Sequence, residues 1–139
     1  MSKRILVVDR SRTIQTLLST YLRNAGHQVI TRSTSQDALQ VLAVFADVPD
    51  LIFLAIDYQK TAYQVIQYVQ AHAQYAHTRF VAMVLQEEKA DILRTLKGAN
   101  VRYLVKPFSI QDALALVGPE SSGVSAQCEM RTGERGEGR

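Results

Sequence analysis

Short apolar runs punctuate the chain at Arg4-Ile5-Leu6-Val7-Val8, at Leu51-Ile52-Phe53-Leu54-Ala55-Ile56, at Phe80 to Leu85 and at Tyr103-Leu104-Val105. Each is too short for a helix and is bounded by polar or turn residues, so each reads as a strand buried on both faces. Each is followed by a segment in which apolar residues return at helical spacing. That alternation predicts an α/β fold with a parallel sheet covered by helices. In open sheets of this kind ligands sit just outside the carboxyl ends of the strands. The residues at those ends are Asp9 and Arg10, Ala55 to Asp57, Leu85 and Gln86, and Lys106 with Pro107.

Taken in order, Ser11 can cap a helix in which Ile14, Leu17, Leu18, Tyr21 and Leu22 share one face, ending at Asn24-Ala25-Gly26. Gln28 to Thr31 follows as a strand, and Ser35 caps a second helix with Ala38, Leu39, Leu42 and Phe45 as its apolar stripe. The third helix, Ala62 to Ala76, is expected to bury Val65, Ile66, Val69 and Ala73. A fourth, from Glu87 to Lys97, buries Ile92, Leu93 and Leu96 and stops at Gly98, with acidic residues first and Lys97 last to suit the helix dipole. Arg102 to Val105 makes the fifth strand. Ser109 then caps a short helix with Asp112 three residues on and Ala113, Leu114 and Leu116 as its apolar set, until Gly118-Pro119 breaks it.

Composition narrows the class. The 139 residues, 47% hydrophobic and 21% charged, suit one domain over residues 1–117 with a real core. Residues 118–139 are rich in Gly, Ser, Glu and Arg and read as a disordered tail. No apolar run reaches membrane-spanning length and the start leads straight into a strand, so membrane insertion is not expected and the location reads as cytoplasmic. Cys128, the single cysteine, lies in the tail, which excludes an internal disulfide framework and a Cys-based zinc site. A net charge of +3 without a basic cluster reads as solvated surface, not as a nucleic-acid footprint.

The third helix stands apart, since Thr61 to Thr78 contains no Asp, Glu, Lys or Arg. Its outer positions carry glutamines, histidines and Tyr63, Tyr68 and Tyr75. One reading is a neutral solvated helix. The other is a partner surface centred on the three tyrosines, because interface cores are poor in charge and rich in tyrosine.

An acidic end to the first strand, Pro49-Asp50-Leu51-Ile52-Phe53-Leu54 opening the third, and Tyr103-Leu104-Val105-Lys106-Pro107-Phe108 near the end together resemble the receiver domain of bacterial response regulators. The resemblance covers residues 3 to 117 and implies a CheY-like, flavodoxin-like doubly wound sheet of five parallel strands, order 2-1-3-4-5, with helices on both faces. It also implies a phosphoryl group accepted from a histidine kinase by an aspartate ending the third strand, with magnesium held by an acidic cluster. Here the acceptor position falls on Ala55, the second acidic position on Arg10, and the hydroxyl position ending the fourth strand on Leu85. Lys106 matches the residue that contacts the phosphoryl group, Pro107 the cis peptide, and Tyr103 the aromatic that reports activation. Asp57 shares a strand face with Ala55 and is read as an ion-pair partner for Arg10 or Lys106. Arg10 is expected to occupy the vacated metal position and to bond Asp9 or Asp57.

These departures imply a degenerate pocket of Asp9, Arg10, Ala55, Asp57, Leu85, Gln86, Lys106 and Pro107 that needs no metal or other cofactor. The chain is therefore read as a non-enzymatic, phosphorylation-independent protein-protein module of two-component signalling. Its expected partner is a signalling protein, with a homodimer also open. The alternatives are an unorthodox acceptor using Asp57 and a flavodoxin-like small-molecule binder. The last lacks a Gly-rich phosphate loop after the first strand, which reads Asp-Arg-Ser-Arg.

Overall fold

Five parallel strands in the order β2-β1-β3-β4-β5 form the sheet that positions every other element. The chain runs β1 (Arg4–Val8), α1 (Arg12–Asn24), β2 (Gln28–Arg32), α2 (Ser35–Val44), β3 (Leu51–Ala55), α3 (Thr61–Ala71), β4 (Arg79–Leu85), α4 (Lys89–Thr95), β5 (Val101–Lys106) and α5 (Ile110–Val117). This computed structural model describes residues 2–44, 48–56, 61–96 and 101–117. Phe45, Asp57, Lys97, Gly98 and the tail expected from residue 118 onward lie outside the described residues. The strand order and helical cover are those expected of a flavodoxin-like sheet.

The central strand explains why its sequence is a continuous apolar run. Ile52, Phe53 and Leu54 are fully buried between helices on both faces, so an alternating pattern would leave a polar group in one of the two cores. Residues of even number on β3 enter one core with α2, α3 and α4; Leu51 and Phe53 enter the other with α1 and α5. Asp50 sets the register. Its carboxylate accepts the Arg4 N–H at 2.8 Å, its own N–H donates to the Arg4 carbonyl, and its carbonyl accepts the Arg79 N–H, so β3 is tied to both neighbours at its start.

Local signals account for the starts of α1, α2 and α5 and for the end of α1. The Ser11 hydroxyl accepts the Ile14 N–H at 3.2 Å, and Gly26, at φ +97°, supplies the left-handed turn that ends α1. Ser109 and Asp112 cap α5 reciprocally, hydroxyl to Asp112 N–H and carboxylate to Ser109 N–H. At α2 the cap is Thr34 and not Ser35: the Thr34 hydroxyl accepts the Asp37 N–H at 3.1 Å, while Ser35 is already the first helical residue and is buried. The shift of one position turns Ser35 inward.

Three other expectations are corrected. The third helix stops at Ala71, and Ala73–Tyr75 forms a single 3-10 turn. That turn exposes Ala73 and buries Tyr75. The fourth helix starts at Lys89 after a 3-10 turn over Gln86–Glu88, which leaves Ile92 and Leu96 buried and Leu93 exposed. On α1 the buried arc is Gln15, Leu18 and Leu22, with Tyr21 45% exposed. Tyr21 lies one helical step off that arc.

Candidate functional site

The carboxyl ends of β1, β3, β4 and β5 open into a cleft of about 410 Å³ lined by Asp9, Arg10, Ala55, Leu85 and Lys106, with Ser11, Ser33, Thr34 and Thr61 at its rim. The sheet register brings these residues together from distant parts of the sequence: Ala55 pairs with Met83 and Leu85 with Lys106. Of the expected pocket residues, Gln86 and Pro107 are exposed and do not line the cleft. Asp57 lies outside the described residues.

Asp9 is the buried charge of the site, 4% exposed at the end of β1. One carboxylate oxygen accepts the Ser11 N–H at 2.9 Å. The other accepts no aligned hydrogen bond and lies 2.7 Å from the Lys106 ammonium, whose charge compensates it. Removing a carboxylate from water is costly unless an opposite charge stands beside it, so the pair holds β1 against the end of β5. Arg10 is exposed at the cleft mouth. The carboxylate of Asp9 is thus met by Lys106, the residue whose charge the sequence assigns to structure.

Gln15 supports the same corner and was not anticipated as part of it. Its amide donates to the Asp9 carbonyl at 2.6 Å and to the Ser33 hydroxyl at 3.1 Å. Its spacing with Leu18 and Leu22, three and seven residues on, was the available signal, because a polar residue on a buried arc must find a partner.

The described oxygen donors do not fit a magnesium ion. Magnesium takes near-octahedral oxygen ligands and is held by carboxylates, whereas the cleft presents one described carboxylate, already beside an ammonium. Among the described residues no three His, Cys, Asp or Glu side chains converge. Ala55 offers a methyl group at the end of β3, and Leu85 an isobutyl group at the end of β4.

Tyr103, on β5, is half-buried and packs on the core shared by α2, α3 and α4. Burial raises its phenol above the usual value, and the neighbouring Tyr63 adds to the shift. Tyr63 packs on the same core. Of the other tyrosines offered as an interface, Tyr68 is half-buried and lies 5.9 Å, ring to ring, from Tyr75. Tyr75 is 3% exposed and donates its hydroxyl to the Leu42 carbonyl at 3.0 Å. It is a core residue, and this corrects its expected place on a partner surface.

A doubly wound parallel sheet with its cleft at the strand ends, a cis Lys106-Pro107 peptide beside it and a half-buried aromatic three residues earlier define a receiver-like class of α/β protein. The family model for the response regulator receiver domain matches residues 5–118, and the chain belongs to that family. It is 32% identical over 118 residues to the alkaline phosphatase synthesis transcriptional regulatory protein PhoP of Bacillus subtilis, covering 84% of this chain and 48% of that protein. It is 29% identical to the protein PilG of Pseudomonas aeruginosa, covering 82% of this chain and 84% of that one. The chain thus spans about half the length of the transcriptional regulators it matches and most of the length of the shorter relative. Among solved structures, the chemotaxis response regulator CheY4 of Vibrio cholerae superposes with a TM-score of 0.72 at 24% identity, covering 84% of this chain and 97% of that one, which shows the shared fold. No described helix is long and apolar enough to cross a membrane.

Proposed function

We propose that this chain is a receiver domain that acts without phosphorylation, as a non-enzymatic docking module of two-component-type signalling in the cytoplasm. The observation that carries the reading is the Asp9–Lys106 ion pair in a cleft that Ala55 also lines. Phosphoryl transfer needs an oxygen nucleophile and a cation that neutralises the developing charge. Ala55 supplies no nucleophile, and the carboxylate that would draw the cation is engaged by Lys106. The reporter residue loses its input in the same way, because Leu85 has no hydroxyl to move toward a phosphoryl group, so Tyr103 is expected to keep one dominant rotamer. Control then falls to concentration or to a partner that binds one state better than another.

The test is incubation with magnesium and acetyl phosphate, followed by intact-mass measurement. No phosphoryl adduct is expected, and millimolar magnesium should leave the melting temperature unchanged. A stable adduct that disappears in Asp57→Ala would overturn the proposal in favour of Asp57 as acceptor.

A further inference from the structure

We infer that the cleft at the strand ends is a reversible binding site for an organic phosphate, a phosphate ester such as a nucleoside monophosphate whose apolar or aromatic body lies on the cleft floor. The inference rests on the phosphorylation-independent reading, because a cleft in which no side chain takes the phosphoryl group covalently can still hold a phosphate by hydrogen bonds. Ser35 provides the first observation. It is 9% exposed, it lines the cleft, and its hydroxyl makes no hydrogen bond among the described residues. A polar side chain buried to that extent needs a partner, and the cleft is where one can enter. The cap on Thr34 leaves further donors beside it. The Thr34 hydroxyl accepts the Asp37 N–H and the Thr34 carbonyl accepts the Ala38 N–H, so the N–H groups of Ser35 and Gln36, two residues that line the cleft, have no intrahelical acceptor.

The remaining groups of the cleft select the class of ligand. α1 and α3 also begin there, at Ser11 and Thr61, so three helices of 13, 10 and 11 residues present their N-terminal ends to it. The described carboxylate that lines the cleft, Asp9, is already engaged, with the Ser11 N–H on one oxygen and the Lys106 ammonium beside the other. Asp37, the acid in the first turn of α2, is exposed and does not line the cleft. Donors are therefore left over and acceptors are not. A phosphate ester brings acceptor oxygens and negative charge to such a wall. The floor asks for something else. Ala55 pairs with Met83, and Leu85 follows two residues along β4, so three apolar side chains share one face of the sheet under the cleft. At about 410 Å³ the cleft has the size of a small-molecule site, and orthophosphate alone would leave most of it unfilled. An apolar or aromatic body on the floor fills that space.

Isothermal titration of the full chain with adenosine monophosphate, with orthophosphate and with adenosine tests the inference. The nucleotide is expected to bind at one site with a dissociation constant below about 1 mM, at least about tenfold tighter than either fragment, and to leave the intact mass unchanged after dialysis. Ser35→Ala removes no helix cap, so it should weaken the nucleotide about tenfold while leaving the urea midpoint in place. Ala55→Leu, which takes up space on the floor, should weaken it as well, and it carries the test if Ser35→Ala loses its far-UV spectrum. In the wild type the amide resonances of Ser35 and Gln36 should shift on titration. No saturation by about 10 mM nucleotide, equal binding of orthophosphate or adenosine, or an affinity unchanged in both variants overturns the inference. A covalent adduct with acetyl phosphate would overturn the reading on which the inference rests, whereas a chain that forms no adduct and binds no adenosine monophosphate overturns the inference alone.

Discussion

The Tyr75 hydroxyl, donating to the Leu42 carbonyl, ties the turn after α3 to the last described turn of α2. Tyr75→Phe removes that bond and leaves a buried carbonyl, and should cost about 1–2 kcal/mol, read as a lower urea midpoint with an unchanged m-value. Burial raises the phenols of both Tyr75 and Tyr103. A folded-state value above the unfolded one means that the native protein keeps a proton the unfolded chain releases. The contribution is full below pH ~10 and is lost as pH rises through the folded value. Stability should therefore fall on the alkaline side, less steeply in Tyr75→Phe, and tyrosinate absorbance should include a late-titrating fraction. At the cleft, Lys106→Met strands the Asp9 carboxylate and should cost about 3 kcal/mol, much of it recovered in the double variant with Asp9→Asn. Denaturant melts of the three proteins decide whether the pair acts as one unit.

Helix starts separate two kinds of local instruction. Thr34→Ala should destabilise by about 1 kcal/mol, because the Thr34 hydroxyl meets the Asp37 N–H, whereas at Ser35, inside the helix, no cap is lost. Equal losses at both positions would place the cap back on Ser35. Before α4 the sequence offers Glu87 and Glu88 to the helix dipole, yet Glu88 is buried with neither carboxylate oxygen in a hydrogen bond. The desolvation of an unpartnered carboxylate outweighs what a helix of only seven residues can return. Glu88→Leu is expected to raise stability by about 1 kcal/mol or more in a urea melt, and a loss would show that the helix start supports the charge.

At the scale of the molecule, the parallel sheet divides the protein into two cores, one under α2, α3 and α4 and one under α1 and α5, with the cleft at the strand ends. The Asp9–Lys106 ion pair lies within that cleft.

Element type, order and sheet topology were legible in the chain because strands buried on both faces must be continuous apolar runs and their crossover helices must show one apolar stripe. That Arg10, Ala55 and Leu85 gather at the strand ends was legible too, because each stands where an apolar run stops. Tertiary structure alone decided where side chains turn. One residue of shift put Thr34 rather than Ser35 at the cap, because both offer a hydroxyl and the local sequence does not distinguish them. A short turn after Ala71 moved Tyr75 from the surface into the core, because an early helix stop rotates everything beyond it, and periodicity assumes no stop. An ion-pair partner of Asp9 lay 97 positions along the chain at Lys106, brought there by the pairing of β5 with β4, a long-range distance that no local pattern encodes.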